Sequence, residues 1–258
     1  MRKLIVDADG IIYHHASIHE TELVSEEESE DGLPLYISLY VCPDEVLQAF
    51  WADIQALKQK WKADEVVVAI TDSARNYRLD IDPAYKGNRK HTRKPLAVRT
   101  IRAHLADDER VVFKPRLEAD DVIGILMTMR KHRKDEMICW SPDKDLRTIP
   151  GIHVNIKEDT LETVTEEEAD RFHLLQALAG DSVDGVPGIP GIGMARAQRW
   201  LEQHGWTWEA AVALAESKDL DEEYLLRQAR LVRILRATDY DFKARRPILW
   251  TPPIAQAA

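Results

Sequence analysis

Apolar runs that end in acidic residues recur along the first half of the chain. Lys3 to Val6 is a short buried-type strand closed by Asp7, Ala8 and Asp9, so its carboxyl end presents carboxylates. Leu35 to Val41, rich in β-branched and aromatic residues, reads as a second strand. Pro43-Asp44-Glu45 opens a helix in which Val46, Leu47, Phe50, Ile54, Leu57 and Trp61 form one apolar stripe. Glu65 to Ile70 is a continuous apolar strand ending in Thr71-Asp72. Val111 to Phe113 reads as a strand, about Leu117 to His132 as a helix, and Met137 to Trp140 as a strand ending in Ser141-Pro142-Asp143. Strands alternating with helices predict an α/β fold with a mostly parallel sheet flanked by helices.

After Asn155 the pattern becomes helical. Glu166 to Ala179 reads as a helix capped by Thr165, and Met194 to His204 as another. Between them lies Gly180-Asp181-Ser182-Val183-Asp184, then the glycine-rich run Gly185 to Gly193. Helical stretches near Trp208 to Glu216 and Glu222 to Ala237 lead to an apolar Ile248-Leu249-Trp250. There is no internal repeat and no low-complexity linker.

Composition adds exclusions. The 258 residues are 45% apolar, enough for a sizeable core. No apolar run approaches the ~18 residues of a membrane span, which predicts a soluble, unexported, cytoplasmic protein without membrane partners. Cys42 and Cys139 stand apart with no zinc-type spacing around them, so a zinc site is not expected. The net charge of −10 argues against a polyanionic partner until its distribution is considered. Seven acids and no base fall between Glu20 and Asp31, a stretch that reads as a solvated, mobile loop. Nine bases face only Asp80 and Asp82 between Arg75 and Arg102, a local excess of 9 − 2 = +7. That segment is suited to phosphates.

The acids fall where a parallel sheet binds ligands, outside the carboxyl ends of its strands. Asp7 and Asp9 follow one strand, Asp72 another, and Asp143 and Asp145 a third. Glu118, Asp120 and Asp121 open a helix, and Asp181 and Asp184 open the helical region. Any one of them alone is a loop residue or a helix cap. Together, without matching bases, they would repel one another unless hard cations relieved them. Oxygen-only ligands point to magnesium or manganese. Asp9 is a weaker member than Asp7, and Asp121 stands as a ligand or a support for Asp120. In the run from Gly185 to Gly193, glycines let backbone amides approach phosphates, and the next helix presents its positive end. The plain alternative is an ordinary turn.

Asp7 after a strand, Thr71-Asp72, Tyr85-Lys86-Gly87-Asn88-Arg89, Glu118-Ala119-Asp120-Asp121, Ser141-Pro142-Asp143-Lys144-Asp145 and Gly180 to Asp184 with the glycine hairpin follow in an order that resembles the flap-endonuclease and 5′-3′ exonuclease superfamily. The resemblance covers roughly residues 3 to 204. Ile70 to Ser73, Asp82 to Lys90, Lys94-Pro95 and Gln228 to Arg236 with Tyr240 to Phe242 are similar to its phage exonuclease branch. The resemblance implies a PIN-like body over residues 1–157 with a helical, basic arch at about 75–106. It also implies a DNA-binding region over 158–258, with a helix-hairpin-helix of the H3TH type at about 166–204. It implies two Mg2+ or Mn2+ ions, one held by Asp7, Asp72, Glu118 and Asp120, the other by Asp143, Asp145 and Asp181, with Asp121 and Asp184 in the same set. Lys86 and Arg89 would act in catalysis, while Tyr85, Arg93, Lys94, Gly188, Gly191 and Gly193 would meet DNA. Backbone carbonyls of 185–193 would hold a potassium ion. The implied activity is 5′-nuclease cleavage of DNA with 5′ ends, nicks or flaps, and of RNA-DNA hybrids, with no obligate protein partner. The acidic Glu20 to Asp31 matches no motif of the superfamily.

Two rival readings differ in kind. Val6-Asp7-Ala8-Asp9-Gly10 fits the nucleophile motif of haloacid-dehalogenase-type phosphatases, with Asp7 attacking phosphorus and Asp9 as acid. That reading leaves the other motifs unexplained. A catalytically inactive, structure-specific DNA-binding protein would keep the hairpin and the basic segment, but has no use for so complete a carboxylate set.

Overall fold

Alternation along the first strand builds the layers. Leu4 and Val6 pack with Ile12, Val46, Phe50 and Ile101 on one side, while Ile5 packs with Val122, Ile123, Cys139, Leu146 and Ile149 on the other. A strand apolar on both faces belongs inside a parallel sheet covered by helices. The computed structural model describes residues 1–253 except 28, 35, 90–91 and 130–133. Its elements run β1 (Arg2–Asp7), α1 (Asp9–Ile18), β2 (Thr21–Val24), β3 (Ile37–Tyr40), α2 (Pro43–Lys60), β4 (Glu65–Ala69), α3 (Ala97–Leu105), β5 (Val111–Val112) and α4 (Ala119–Thr128). They continue with β6 (Glu136–Trp140), β7 (Gly151–Asn155), β8 (Thr160–Val164), α5 (Glu166–Ala179), α6 (Met194–His204), α7 (Trp208–Glu216), α8 (Glu222–Val232), β9 (Tyr240–Asp241) and β10 (Arg246–Pro247).

The main sheet has the order β5-β4-β1-β6-β7-β8, parallel throughout except for β8, which returns antiparallel to β7. From β1 the chain adds β4 on one side and β6 on the other, so the order reverses around β1. A crevice opens at such a point, at the carboxyl ends of the strands. Asp7 closes β1, Thr71 and Asp72 follow β4, and Ser141 and Asp143 follow β6.

The second core lies among α5, α6, α7 and α8, where Leu178, Ile189, Ala197, Leu201, Trp208, Ala211 and Leu225 are buried together. Thr165 and Glu168 form a reciprocal capping box at the start of α5, as the Thr165 cap predicts. Gly188, at φ +60, lies so close to the end of α5 that a Cβ would stand 2.4 Å from Ala179 C and Gly180 N. Only glycine fits there.

Several elements differ from the sequence expectation. Ile37–Tyr40 is a strand, but it pairs with Thr21–Val24 in a separate two-stranded sheet. The expected mobile loop over Glu20 to Asp31 is therefore partly hairpin, and Glu20 accepts from the Leu96 amide at 2.8 Å and pairs with Arg93. β7 and β8 were not anticipated, because β8 is largely exposed and only Val164 is buried. Their hairpin spans residue 157, so the expected division at 157/158 runs through a pair of strands. The segment 75–106 is not one helix. It contains 3-10 turns at Tyr77–Asp80 and Gly87–Arg89, while α3 packs into the body through Val98, Ile101 and Leu105. α4 ends at Thr128, and the expected continuation through 130–132 lies outside the described residues. α8 stops at Val232 because Arg78 takes the carbonyls of Leu231 and Arg233, and Leu235 N donates to Asp121.

His173 on α5 donates from Nε2 to the Ala229 carbonyl on α8 at 2.9 Å and meets the Trp250 ring at 5.0 Å. Burial, aided by Arg233, pushes its pKa down to about 3. Below the ordinary histidine value of about 6.5, the unfolded chain takes up a proton that the folded chain refuses. Stability is thus full above that value and declines as pH falls towards 3. Urea unfolding of His173→Gln should lack the part of this decline, about 1.4 kcal/mol per pH unit, that one such histidine contributes. Identical slopes for variant and wild type between pH 6 and pH 4 would refute it.

Candidate active site

A cleft of about 820 Å³ lies over the carboxyl ends of β1, β4 and β6 and is bounded on its far side by the segment preceding the hairpin. Asp7, Asp9, Asp72, Glu118, Asp120, Asp143, Asp145, Asp181 and Asp184 all line it, as do Lys86, Arg89 and Lys94. Each acid is placed by local chain geometry. Asp7 accepts from Ser141 Oγ at 2.8 Å and from the Asp9 amide at 3.3 Å. Asp72 accepts from the amides of Ala74 at 3.0 Å and Arg116 at 2.7 Å, which closes its turn. Glu118 is the N-cap of α4, which brings Asp120 into the first turn. Asp143 caps the 3-10 turn Lys144–Thr148 by accepting from the Asp145 amide at 2.8 Å, and Asp145 accepts from Gln176 Nε2 at 2.7 Å. Asp181 accepts from the amides of Val183 and Asp184 at 2.8 and 3.3 Å.

The electrostatics are those of acids short of positive charge. Burial, reinforced by Asp9, pushes Asp7 up to about 6. Burial, then Asp7, Asp143 and Glu118, hold Asp120 well above the carboxylate range. Burial and the neighbouring Asp143 push Asp145 up to about 7. Burial opposes the charge of Asp181 too, but its neighbour Asp145 and the amides of Val183 and Asp184 hold it below the usual range. Glu118 is also held low. Burial opposes its charge, but Arg78 and Lys86 outweigh it and keep it below the usual range. Lys86 is likewise raised, because Glu118 and Asp184 overcome its burial. Among the described residues no three or more His, Cys, Asp or Glu side chains close into metal-ligand geometry. The cluster is an open one, with oxygen donors only, and its raised acids are the environment that a hard divalent cation relieves.

Four expected site residues have other roles here. Asp121 is fully buried outside the cleft. It takes Arg78 in two bonds of 2.7 and 2.8 Å, the Leu235 amide at 3.1 Å and the Glu118 amide at 3.2 Å, so its acceptor capacity is filled. It is a support, not a ligand. Tyr85 is buried with its hydroxyl between Glu118 at 2.9 Å and Asp184 at 3.0 Å, so its ring is not offered to DNA. Gly188 is closed off by α5, and both its backbone polar groups are used, by Gln228 and Tyr224. Arg93 is exposed but paired with Glu20. Gly191 and Gly193 do face open space, and the Gly191 carbonyl accepts from Arg196 at 2.7 Å.

Lys86 and Arg89 converge, though not as one helical face. Lys86 has φ +53, and its amide donates to the Asp184 carbonyl at 2.9 Å. The side chains meet at the Asp184 carboxylate, with Arg89 at 2.7 Å and Lys86 at 3.3 Å. Asp9 is held by Arg102 at 2.7 Å and by the Thr71 hydroxyl, which leaves it no freedom to act as the acid of a phosphatase.

Sequence reasoning missed Arg78, Ser141, Gln176, Thr71 and Arg102 as positioning groups. Gln176 carried a signal, being a polar residue inside Leu174-Leu175-Gln176-Ala177-Leu178. Arg78 carried none, because its charge was indistinguishable from its basic neighbours. Tyr13, exposed on α1 at the cleft, also went unremarked.

Comparison with known proteins agrees with this geometry. Residues 3–173 match the family model of the 5′-3′ exonuclease N-terminal, resolvase-like domain. The exonuclease of Escherichia phage T7 is 28% identical over 96% of this chain and 93% of its own length. The flap endonuclease Xni of Shewanella putrefaciens is 30% identical over 67% of this chain and 72% of its own. A bacteriophage T5 flap endonuclease structure with DNA and metal ions superposes with a TM-score of 0.65 at 18% identity, covering 92% of this chain and 90% of that one, and so shares the fold. The match over two thirds of the chain, on a PIN-like sheet with acids at its switch point, makes this protein a member of the 5′-3′ exonuclease family, a nuclease of the exonuclease and flap-endonuclease kind.

Proposed function

We propose that the chain hydrolyses DNA phosphodiesters near 5′ ends, nicks or flaps, and removes RNA from RNA-DNA hybrids, with two divalent cations, Mg2+ or Mn2+, leaving 5′-phosphate products. The observation that carries it is the crowding of Asp7, Asp120, Asp143 and Asp145 in one cleft, with three of the four pushed well above the carboxylate range. Asp7, Asp72, Glu118 and Asp120 would hold one ion, and Asp143, Asp145 and Asp181 the other. Asp184 would join them on giving up Lys86 or Arg89. Such ions, once bound, neutralise the acids and polarise the scissile phosphate.

The chain's own groups do the rest. Ser141 and Gln176 fix the rotamers of Asp7 and Asp145, which keeps the donors in place without their rearranging during reaction. Lys86 and Arg89 stand over the acids at the cleft's mouth, where a phosphate entering the site exchanges an Asp184 contact for its own. Lys94 lies farther along the same rim and attracts the strand. Gly191 and Gly193 leave room for a duplex backbone to approach the start of α6, and carbonyls of 185–193 would take a potassium ion between them and a phosphate. The division of labour follows the sheet, with chemistry on the body and duplex grip on the helical region.

Three measurements test this. Asp145→Asn should abolish cleavage in magnesium while DNA binding stays the same or tightens, since one negative charge facing the phosphate is gone; near-normal cleavage would remove Asp145 from the site. Lys86→Ala should slow single-turnover cleavage at saturating enzyme by about 10²- to 10³-fold, the usual cost of one preorganised donor. Lys94→Ala should instead raise the apparent Kd and lower the salt slope by about 1. Equal saturated rates for Lys86→Ala and wild type would reduce Lys86 to general attraction. Gly191 holds φ +76, which valine resists, so Gly191→Val should weaken duplex binding and erase any advantage of potassium over sodium at equal ionic strength, with metal affinity unchanged. Normal duplex binding by that variant would leave the hairpin as only a turn.

A further inference from the structure

Between α1 and α2, at the end of β6, lies a second pocket of about 290 Å³. Trp140 at the end of β6, Pro142, His14 and Gly10 line it, together with Asp7 and with Asp53 of α2. Asp7 lines both this pocket and the catalytic cleft, so the two are neighbours across one side chain. The pocket's volume is at the small end of ligand pockets, which start at about 300 Å³. That is room for one planar heterocycle, not for a helix or another chain.

Three features suit it to a base. Trp140 and His14 supply flat faces for stacking, which is tolerant of base identity. Gly10, on the same face of α1 as His14 one turn on, leaves its flank empty, for a Cβ there would meet nothing within 4 Å. Asp53 supplies direction. Its Oδ2 is fixed at 2.8 Å by Nε2 of the buried His15, which must be the donor because an ionised carboxylate has no proton to give. The carboxylate is half-exposed and lines the pocket, so it has acceptor capacity left for a ligand there.

We infer that this pocket is a subsite for the base of the 5′-terminal nucleotide, swung out of the stack while its phosphate lies over the carboxylates, and that Asp53 favours guanine and disfavours thymine. This rests on the nuclease reading above. A terminal base is stacked on one side only and is the easiest to turn out. Guanine offers N1–H and an N2 amino group side by side, a match for both oxygens of a carboxylate. Cytosine and adenine offer one amino group. Thymine offers a lone N3–H between two carbonyls that repel the carboxylate.

The test is single-turnover cleavage at the first phosphodiester of four duplexes that differ only in one unpaired 5′-terminal nucleotide, so that pair opening does not enter. Wild type should cut the dG substrate about tenfold faster than the dT substrate, in keeping with one two-bond contact to a base edge. Gly10→Leu, which fills the pocket at a helical position with free space around it, should collapse the spread to within about twofold. Asp53→Asn, which removes one of the two acceptors and keeps the other for His15, should lose the dG advantage specifically. Equal wild-type rates on the four substrates, or a dG preference that survives both substitutions, would overturn the subsite and leave the nuclease standing. No cleavage of any of the four by wild type would overturn the nuclease reading and the subsite with it.

Discussion

The site depends on one buried guanidinium. Arg78, 2% exposed, reaches Asp121 with two nitrogens and Glu118 with one of them, and it donates to the carbonyls of Leu231 and Arg233. Removing one member of such a pair commonly costs about 3 to 5 kcal/mol, because the other is left charged and dry. The fixed fork of arginine suits this place, where a lysine could satisfy neither the two oxygens nor the two carbonyls at once. By gripping Asp121 it sets the rotation of α4 and so turns Asp120 to the cleft. By gripping the end of α8 it docks the helical region on the body. The same contact thus positions the chemistry and joins the two cores.

Upon that frame the chain accumulates repulsion that folding alone would disfavour. Asp7, Asp120 and Asp145 stand where burial and like charge raise them, and Lys86, Arg89 and Arg78 compensate mainly Glu118, Asp184 and Asp121. The deficit of positive charge is concentrated on the acids nearest the sheet. This explains why a net charge of −10 does not conflict with a nucleic-acid substrate. Much of the excess is sequestered in the cleft or placed at the turn of the β2–β3 hairpin, while bases line the rim. Local charge, not its sum, governs the approach of a polyanion.

The strand ends, the capped helices and the order of the acids were legible because each rests on contacts close in sequence. A strand that is apolar throughout and then stops at Asp7 can be read without its neighbours, and Thr165 with Glu168 announces a cap within four residues. What was not legible rests on distant partners. Asp120 and Asp121 are adjacent acids about 100° apart on a helix, and which one faces the cleft is decided by Arg78, more than a turn of structure and many residues away. Tyr85 read as a DNA contact because Val186 and Leu231, which bury it, lie over a hundred residues on. β8 escaped because an edge strand with one buried side chain has almost no periodicity to show. Gly188 and Gly191 look alike in sequence, yet one is pressed against α5 and the other opens to solvent.

Asp184 joins the two halves of the mechanism. Its carboxylate holds Arg89, Lys86 and the Tyr85 hydroxyl, its carbonyl accepts from the Lys86 amide, and the next residue, Gly185, begins the hairpin. The cationic side chains over the acids therefore contact the residue that directly precedes the hairpin. Gly185 sits at φ +72, and paired bonds of 2.8 and 2.7 Å between Asp181 and Val186 tie this junction across it. On the proposed function, a duplex held at Gly191 and Gly193 would present its strand to Lys86 and Arg89 at a fixed offset. Effective catalysis demands that kind of positioning, since small misplacements of the reacting phosphate carry large rate costs. The cut site would then be measured from the duplex by backbone geometry, which requires no recognition of base sequence at the hairpin.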